Sequence, residues 1–148
     1  MRRLRVLVLM HKDLVPPDQL NGQDLEGAAW KTEYDVVSTL RKLGHEVQPL
    51  GVKSDLEVIR AAVEDWKPHI AFNLLEEFDG RAVYDQNVVS YLELMRIPYT
   101  GCNPRGLMLA RDKALSKQVM SYHRIPYPEF MVVPLHRMVR RPKYLPFP

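Results

Sequence analysis

The sequence predicts an α/β domain built on an open, mostly parallel sheet of about four strands, with helices on both faces. Short apolar runs alternate along the chain with longer amphipathic stretches, and this βαβα order is typical of parallel strands joined by right-handed crossovers. The chain has 148 residues, of which 46% are hydrophobic and 26% charged, a composition that supports one packed core. Its clearest strand, residues 6–10, is an uninterrupted apolar run of the kind that a sheet buries on both faces.

The other predicted elements follow in strict alternation. Strands are expected at residues 46–52, 69–75 and 97–100, with one more at 129–134. Helices are expected where apolar residues recur every three or four positions, at about residues 24–43, between Ser54 and Pro68, and at 83–95 and 103–123. After residue 133 the periodic pattern ends, and we expect the native chain to continue into a second domain.

Capping signals set the expected ends of these helices. Asp24 is placed to cap the first helix, and Gly44 is placed to end it in a left-handed conformation. Ser54 and Glu57 have the Ser-x-x-Glu spacing of a capping box at the start of the second helix. Pro104 falls at the first position of the fourth helix, where proline is favoured.

Charge and cysteine content exclude several classes of protein. The formal net charge is only +3, and the basic residues cluster at the two ends, so we expect charged ends around a core and no nucleic-acid partner. The apolar run 6–10 is far too short for a transmembrane helix, so no membrane partner is expected. Cys102 is the only cysteine, which favours a reducing, cytoplasmic location.

Several familiar catalytic and binding motifs are missing. No Gly-x-Gly-x-x-Gly follows the first strand, and no Walker A or Gly-x-Ser-x-Gly sequence occurs. The five histidines lack the spacing of metal ligands, so no metal site is predicted and each is expected to be a surface or strand-end residue.

The stretch with the most chemical information begins at the Thr100-Gly101 turn. A helix follows it and carries Lys113 and Lys117 four positions apart, so the two ammonium groups lie on one side and repel each other unless an anion is near. A polyphosphate is one such anion. Taken alone, a solvated lysine face is the commoner explanation.

Three segments together resemble the end of the first domain of D-alanine–D-alanine ligases and related ATP-grasp enzymes. They are Ile-Pro-Tyr-Thr-Gly at 97–101, Asp-Lys-Ala-Leu-Ser-Lys at 112–117, and Ile-Pro-Tyr-Pro at 125–128. The resemblance extends over about residues 66–130. It implies a pre-ATP-grasp, Rossmann-like domain in which Lys113 contacts ATP phosphates, while Lys117 matches the family's second lysine and has a weaker, structural or accessory role.

The chain departs from the family pattern at positions expected to bind substrate. The family's Gly-Gly-x-Ser-x-Glu turn, whose glutamate holds the first amino acid, has no clear equivalent, and Glu26 and Glu33 are the nearest acids. Glu76 stands near the position of the family's His-Gly, whereas Asp85 matches the family. Glu26, Glu76 and Asp85 are therefore the candidate substrate-binding residues, with the 11–23 loop and the 75–85 turn facing the amino-acid pocket.

The resemblance also implies an organisation and a chemistry. Residues 1–125 would form the pre-ATP-grasp domain, and 126–148 the linker and truncated start of the ATP-grasp domain. The full-length enzyme would use ATP and Mg²⁺ to join a carboxylate and an amine through an acyl phosphate, with an amino-acid-like substrate and a link to cell-wall synthesis. The fragment alone is expected to be inactive and to bind neither cofactor. Catalytic residues are expected in the missing ATP-grasp domain, and a homodimer is left open.

Two alternatives stay open on the residues alone. One is a free-standing flavodoxin-like binding module, which would need acids clustered at the strand ends. The other is a basic nucleic-acid-binding protein, whose binding would fall steeply with salt.

Overall fold

The computed structural model describes residues 3–19, 24–140 and 142–145 of the chain. Contacts between residues divide the chain into two compact units, Met1–Leu107 and Met108–Pro148. The boundary predicted between residues 125 and 126 lies inside the second of these units.

The first unit is built on a three-stranded parallel sheet. Its strands are β1 (Arg5–His11), β2 (Glu46–Val52) and β3 (Ile70–Asn73), in the order β2-β1-β3. In the register, Leu7 lies opposite Gln48 on one side and opposite Ala71 on the other. The first strand of the chain is thus the central strand, which explains why its sequence is continuously apolar.

Side chains of β1 alternate between the two faces of the sheet, as the two-residue period of a strand requires. Leu7 and Leu9 belong to one buried cluster, and Val6, Val8 and Met10 belong to another. All five are at most 3% exposed, so neither face of this strand meets solvent.

Three helices cover the sheet in this unit: α1 (Lys31–Lys42), α2 (Glu57–Trp66) and α3 (Asp85–Leu94). Helix α1 contributes Val37 to the cluster on one face. The other two contribute residues to the cluster on the opposite face, among them Ile59 from α2 and Leu92 from α3. The predicted α/β class, with a parallel sheet and helices on both faces, is confirmed.

The predicted fourth strand is reduced to a single parallel bridge between Ala71 and Tyr99. Ala71 N–H donates to the Pro98 carbonyl at 2.8 Å, and Thr100 N–H donates to the Ala71 carbonyl at 3.0 Å. Pro98 has no N–H to extend this ladder, so the pairing covers one residue. The sheet therefore has three strands, one fewer than predicted.

The first helix begins seven residues later than predicted. The Asp24 carboxylate accepts a hydrogen bond from Glu26 N–H at 3.0 Å, which stabilises a local turn instead of a helix start. The predicted Ser54–Glu57 capping box is also wrong: Glu57 N–H donates to Asp55 Oδ1 at 2.8 Å. Asp55 is the better-placed acceptor because it lies two residues before that N–H.

The predicted helix 103–123 is divided at Asp112 into α4 (Pro104–Arg111) and α5 (Lys113–Tyr122). The Asp112 side chain accepts a hydrogen bond from Leu115 N–H at 2.9 Å and so caps α5 as a new helix. Capping aspartates compete with the helical backbone, and this competition explains the break.

The strand predicted at residues 129–134 is absent, since no regular structure is found there. Every residue of this segment is exposed or half-buried, and no strand of the described part of the chain pairs with it. A strand without a neighbour leaves its backbone groups unpaired, so it does not form in isolation. Separately, no helix among the described residues has the length and apolar character needed to cross a membrane.

Candidate functional site

The sheet order creates a natural binding crevice at the carboxyl ends of β1 and β3. Helix α1 follows β1 and packs on one face, whereas α3 follows β3 and packs on the other. The loops after these two neighbouring strands therefore leave in opposite directions. Ligands of open α/β sheets bind at such a switch point.

A cleft of about 690 Å³ lies at this position. Its walls come from the end of β1, the first turn of α1 and the segment after β3. The residues that line it are His11, Leu14, Ala29, Thr32, Glu33, Asn73, Leu74, Leu75, Glu76, Glu77 and Ala82. The volume is in the range of small-molecule sites. Both segments expected to face a pocket, the loop after β1 and the 75–85 turn, contribute to the lining.

Glu33 is the most unusual side chain of the cleft. It lies in the first turn of α1 and is only 7% exposed. Its Oε2 atom is buried and has no hydrogen-bond partner among the described residues. A buried carboxylate oxygen without a partner is costly, and a ligand that donates a hydrogen bond to it would remove that cost.

His11 ends β1 and connects the two walls. Its Nδ1 accepts a hydrogen bond from Asp13 N–H at 3.2 Å, and its Nε2 lies 3.4 Å from Glu77 Oε1. A ring whose Nδ1 accepts must carry its proton on Nε2, the atom that lies near the Glu77 carboxylate. The pair holds the segment after β3 close to the end of β1.

Hydrogen bonds of Asn73 fix the backbone at the end of β3. Asn73 Oδ1 accepts from Leu75 N–H at 3.2 Å, and Asn73 N–H donates to Thr100 Oγ1 at 3.1 Å. Through the second bond, the Thr100 side chain stabilises the backbone at the end of β3. Together they set the direction in which Glu76 and Glu77 leave the sheet.

The three candidate substrate-binding residues lie in different surroundings. Glu76 lines the cleft. Asp85 lies at the start of α3 and is 4% exposed, and its carboxylate accepts a hydrogen bond from Gln86 N–H at 2.6 Å. It is not among the residues that line the cleft. Glu26 is exposed and forms an ion pair with Lys31, whose pKa this hydrogen bond raises above the usual lysine value.

Three other side chains of the cleft are not predicted as substrate-binding residues by the sequence. Glu33 is only one of the two acids nearest in sequence, His11 is predicted to be a surface or strand-end residue, and nothing singles out Glu77. One signal was available, because His11 closes a buried strand at the edge where ligands bind. No signal in the sequence showed that Glu33, rather than Glu26, faces inward.

The two lysines lie in the second unit, where they share one wall of a shallow, mainly apolar depression of about 270 Å³. Lys113 and Lys117 line it together with Ser116, Met120, Pro126, Tyr127 and Pro128. The Lys117 ammonium lies 4.9 Å from the centre of the Phe130 ring, a cation–π contact. Lys117 is thus partly engaged by its own unit.

No cluster of three or more His, Cys, Asp or Glu side chains that could hold a metal ion occurs in residues 3–19, 24–140 and 142–145.

No family model matches the chain. Individual relatives do match, among them the following two D-alanine–D-alanine ligases. The ligase of Acidiphilium cryptum (strain JF-5) is 33% identical over 103 residues, which are 70% of this chain and 33% of that protein. The ligase of Moorella thermoacetica (strain ATCC 39073 / JCM 9320) is 31% identical over 101 residues, 68% of this chain and 31% of that protein. This chain is a homologue of the amino-terminal part of D-alanine–D-alanine ligases.

The D-alanine–D-alanine ligase fold is also found by comparison with solved structures. The ligase from Bacillus anthracis complexed with ATP aligns with a TM-score of 0.65 and 20% identity, over 94% of this chain and 41% of that one. The chain spans about a third of the length of the curated D-alanine–D-alanine ligases that it matches. The pre-ATP-grasp resemblance seen in the sequence is therefore confirmed.

Proposed function

We propose that this chain is the amino-acid-binding part of an ATP-dependent carboxylate–amine ligase of the D-alanine–D-alanine ligase kind. The observation that carries the proposal is that Glu33 lines the cleft at the switch point of the sheet, and that its buried Oε2 atom has no hydrogen-bond partner in the described part of the chain. An amino-acid ammonium group matches it in charge and in hydrogen-bond donors. The flavodoxin-like alternative is not favoured, because the matching relatives are ligases.

The proposed reaction has two steps. A substrate carboxylate oxygen attacks the γ-phosphorus of ATP, which forms an acyl phosphate and releases ADP. An amine nitrogen then attacks the acyl carbon, loses a proton and expels phosphate, leaving an amide bond. Magnesium would neutralise phosphate charge, with ligands supplied by an ATP-grasp domain and not by the described residues of this chain.

Within this scheme the chain's own residues bind and orient the amino-acid substrate. Glu33 would hold an ammonium group, while His11 and Glu77 keep the opposite wall in place. Glu76 would add negative charge at the rim. Positioning of this kind lowers the barrier because the reacting groups no longer have to find each other in solution.

The ligase proposal also implies a cellular location, a biological role and an oligomeric state. An enzyme that uses ATP and amino acids fits the cytoplasm, in line with a single cysteine. A contribution to cell-wall synthesis and assembly as a homodimer are further parts of the proposal. Sedimentation of the purified full-length protein, meaning this chain joined to an ATP-grasp domain, measures the oligomeric state directly.

The proposal is tested by ADP formation. Full-length protein should release ADP from ATP when D-alanine or another amino acid is present, and mass spectrometry should detect a dipeptide-like product. The 148-residue chain alone should release no ADP above background, since it spans only about a third of the related ligases. Absence of amino-acid-dependent ADP release from the full-length protein would reject the ligase function, and release from the chain alone would reject its predicted inactivity.

Replacement of Lys113 by alanine should raise the KM for ATP about tenfold in the full-length protein, because a charge-assisted contact to phosphate is lost. Lys117→Ala is the matched control. Its effect should be smaller, since the Lys117 ammonium already lies against the Phe130 ring. Steady-state kinetics over a range of ATP concentrations measures the KM for ATP and the rate of each variant. An unchanged KM and rate in Lys113→Ala would remove Lys113 from the nucleotide site.

A further inference from the structure

The segment that follows β3 along the wall of the cleft is folded into a tight turn, residues 78–81. Phe78 N–H donates to the Arg81 carbonyl at 3.2 Å, and Arg81 N–H donates back to the Phe78 carbonyl at 3.1 Å. The two residues between them, Asp79 and Gly80, both have positive φ angles, of 54° and 68°. A two-residue loop with positive φ at both positions is the type I′ pattern, for which Asp-Gly is a favoured sequence. The backbone therefore reverses its direction within four residues.

The residues on either side of the 78–81 turn belong to the cleft, although the turn does not. Glu77 precedes the turn and Ala82 follows it, and both are among the residues that line the cleft. None of residues 78–81 is among them. The reversal of the chain brings Glu77 and Ala82 to the same cleft, so their placement depends on the backbone conformation of a turn that lies outside it.

The first half of the turn is fixed to the rest of the first unit. The Phe78 side chain packs against one of the two buried clusters, and Asp79 N–H donates to the Lys53 carbonyl at 2.7 Å. The second half is less restrained, since a Cβ added at Gly80 would meet no heavy atom of the described residues within 4 Å. A change in the backbone at Gly80 is therefore expected to displace Ala82 more than the anchored residues before it.

We propose that Gly80 is a positioning residue for the amino-acid ligand: it does not touch the ligand, but its left-handed backbone places Ala82 in the wall of the cleft. This inference rests on the proposed ligase function, because the ligand is the amino acid that the cleft is proposed to bind. An added side chain at Gly80 has room, so its cost lies in the backbone, since residues with a Cβ rarely adopt positive φ. Asparagine is the exception, because its short polar side chain tolerates the left-handed region.

Two substitutions of Gly80 separate the backbone effect from the effect of an added side chain. In the full-length protein, Gly80→Val should raise the KM for D-alanine, or for the amino acid that the wild-type protein uses best, about tenfold, because left-handed valine is costly and fewer molecules keep the turn that binds. The KM for ATP should not change. Gly80→Asn should keep most of the affinity, although it also adds a side chain. If Gly80→Val does not fold, Gly80→Ala should change the KM in the same direction by a smaller factor.

Gly44→Val is the matched control for Gly80→Val. Gly44 also has a positive φ, 87°, and a Cβ added there would likewise meet no described heavy atom within 4 Å. It lies just before β2, at the amino-terminal edge of the parallel sheet, whereas the cleft lies at the carboxyl edge. Gly44→Val should therefore lower the melting temperature, as Gly80→Val does, and leave the KM for the amino acid unchanged.

Nuclear magnetic resonance of the 148-residue chain shows whether the turn itself has changed. The backbone carbon shifts of residues 79–81 should indicate that the left-handed conformation is kept in Gly80→Asn and lost in Gly80→Val. The KM for the amino acid should follow this change and not the loss of stability. A KM that rises equally in the Gly44 and Gly80 valine variants would show that a general loss of stability is responsible, and would overturn the inference.

The wild-type protein and the Gly80 variants separate this inference from the ligase function. If the wild-type full-length protein releases no ADP with any amino acid, the ligase function is rejected, and the role of Gly80 in placing its substrate is rejected with it. If the wild-type protein is active and Gly80→Val has an unchanged KM for the amino acid, the ligase function stands and the positioning role alone is rejected. A KM raised in Gly80→Val and restored in Gly80→Asn supports both.

Discussion

Substitution of Glu33 by glutamine should lower kcat/KM for the amino-acid substrate about 100-fold in the full-length protein. The variant keeps the shape of the side chain but removes the charge that pairs with an ammonium group in a site shielded from water. Loss of one member of a buried ion pair costs several kcal/mol in comparable interfaces. The KM for ATP should change little, because Glu33 lines the proposed amino-acid cleft and is not among the residues that line the depression with the candidate phosphate lysines.

The same substitution should not destabilise the chain. Glu33 Oε2 is buried and has no hydrogen-bond partner within residues 3–19, 24–140 and 142–145, so the unliganded protein retains the cost of burying a polar oxygen without a hydrogen bond. A neutral amide reduces that cost, and we expect the free energy of unfolding to stay the same or to rise by about 1 kcal/mol. Thermal unfolding monitored by circular dichroism measures this in the 148-residue chain.

Asp35→Asn is the matched control for Glu33→Gln. Asp35 lies on the same helix, is exposed and loses the same charge, so its substitution should leave both activity and stability nearly unchanged. A Glu33→Gln enzyme with full activity would remove Glu33 from the substrate site. A Glu33→Gln protein that unfolds readily would instead indicate that the carboxylate has a structural partner.

Substitution of Gly51 by alanine should destabilise the first unit by about 1–3 kcal/mol, the usual cost of overpacking. An added Cβ at this position of β2 would lie 2.7 Å from Val15 Cγ2 and 3.0 Å from Lys12 Cα. The second contact is with backbone, which cannot turn aside as a side chain can. The segment after β1 would have to move away from the end of β2.

The Gly51→Ala variant also tests the construction of the cleft, because Lys12 directly follows His11. A shifted segment should weaken the approach of His11 to Glu77 and lower affinity for the amino-acid ligand. The double variant Gly51→Ala/Val15→Ala should recover part of the lost stability, since it removes the closer contact at a side chain that is already 39% exposed. Urea unfolding compares the three proteins. No loss of stability in Gly51→Ala would show that the segment moves at no cost.

Local sequence signals failed where two competing hydrogen-bond arrangements were available. Asp24 and Asp112 both have side chains that can accept from nearby backbone N–H groups, and the structure uses the first for a turn and the second to start a new helix. Asp55 likewise replaces Ser54 as the acceptor at the start of α2. Propensity alone does not decide between such neighbours, because the differences are a fraction of a kcal/mol.

Local sequence signals also do not decide which acidic residues lie in the candidate site. The sequence predicts all three acids as substrate-binding residues. Glu76 lines the cleft, whereas Glu26 lies on the surface with Lys31 and Asp85 is absent from the lining. The choice between Glu26 and Glu33 depends on where α1 begins. A helix that starts at Lys31 places Glu33 in its first turn beside the sheet edge.

By itself, the sequence determined the α/β class, the burial of the first strand and the relation to D-alanine–D-alanine ligases. These follow from hydrophobic periodicity and from short motifs, both of which are local along the chain. Only the tertiary structure decided that β1 is the central strand, that His11 lies against Glu77, and that the buried Glu33 Oε2 atom has no partner among the residues that the structure describes. Those facts depend on contacts between residues far apart in sequence, and such contacts are set by packing across the sheet rather than by the pattern of any one segment.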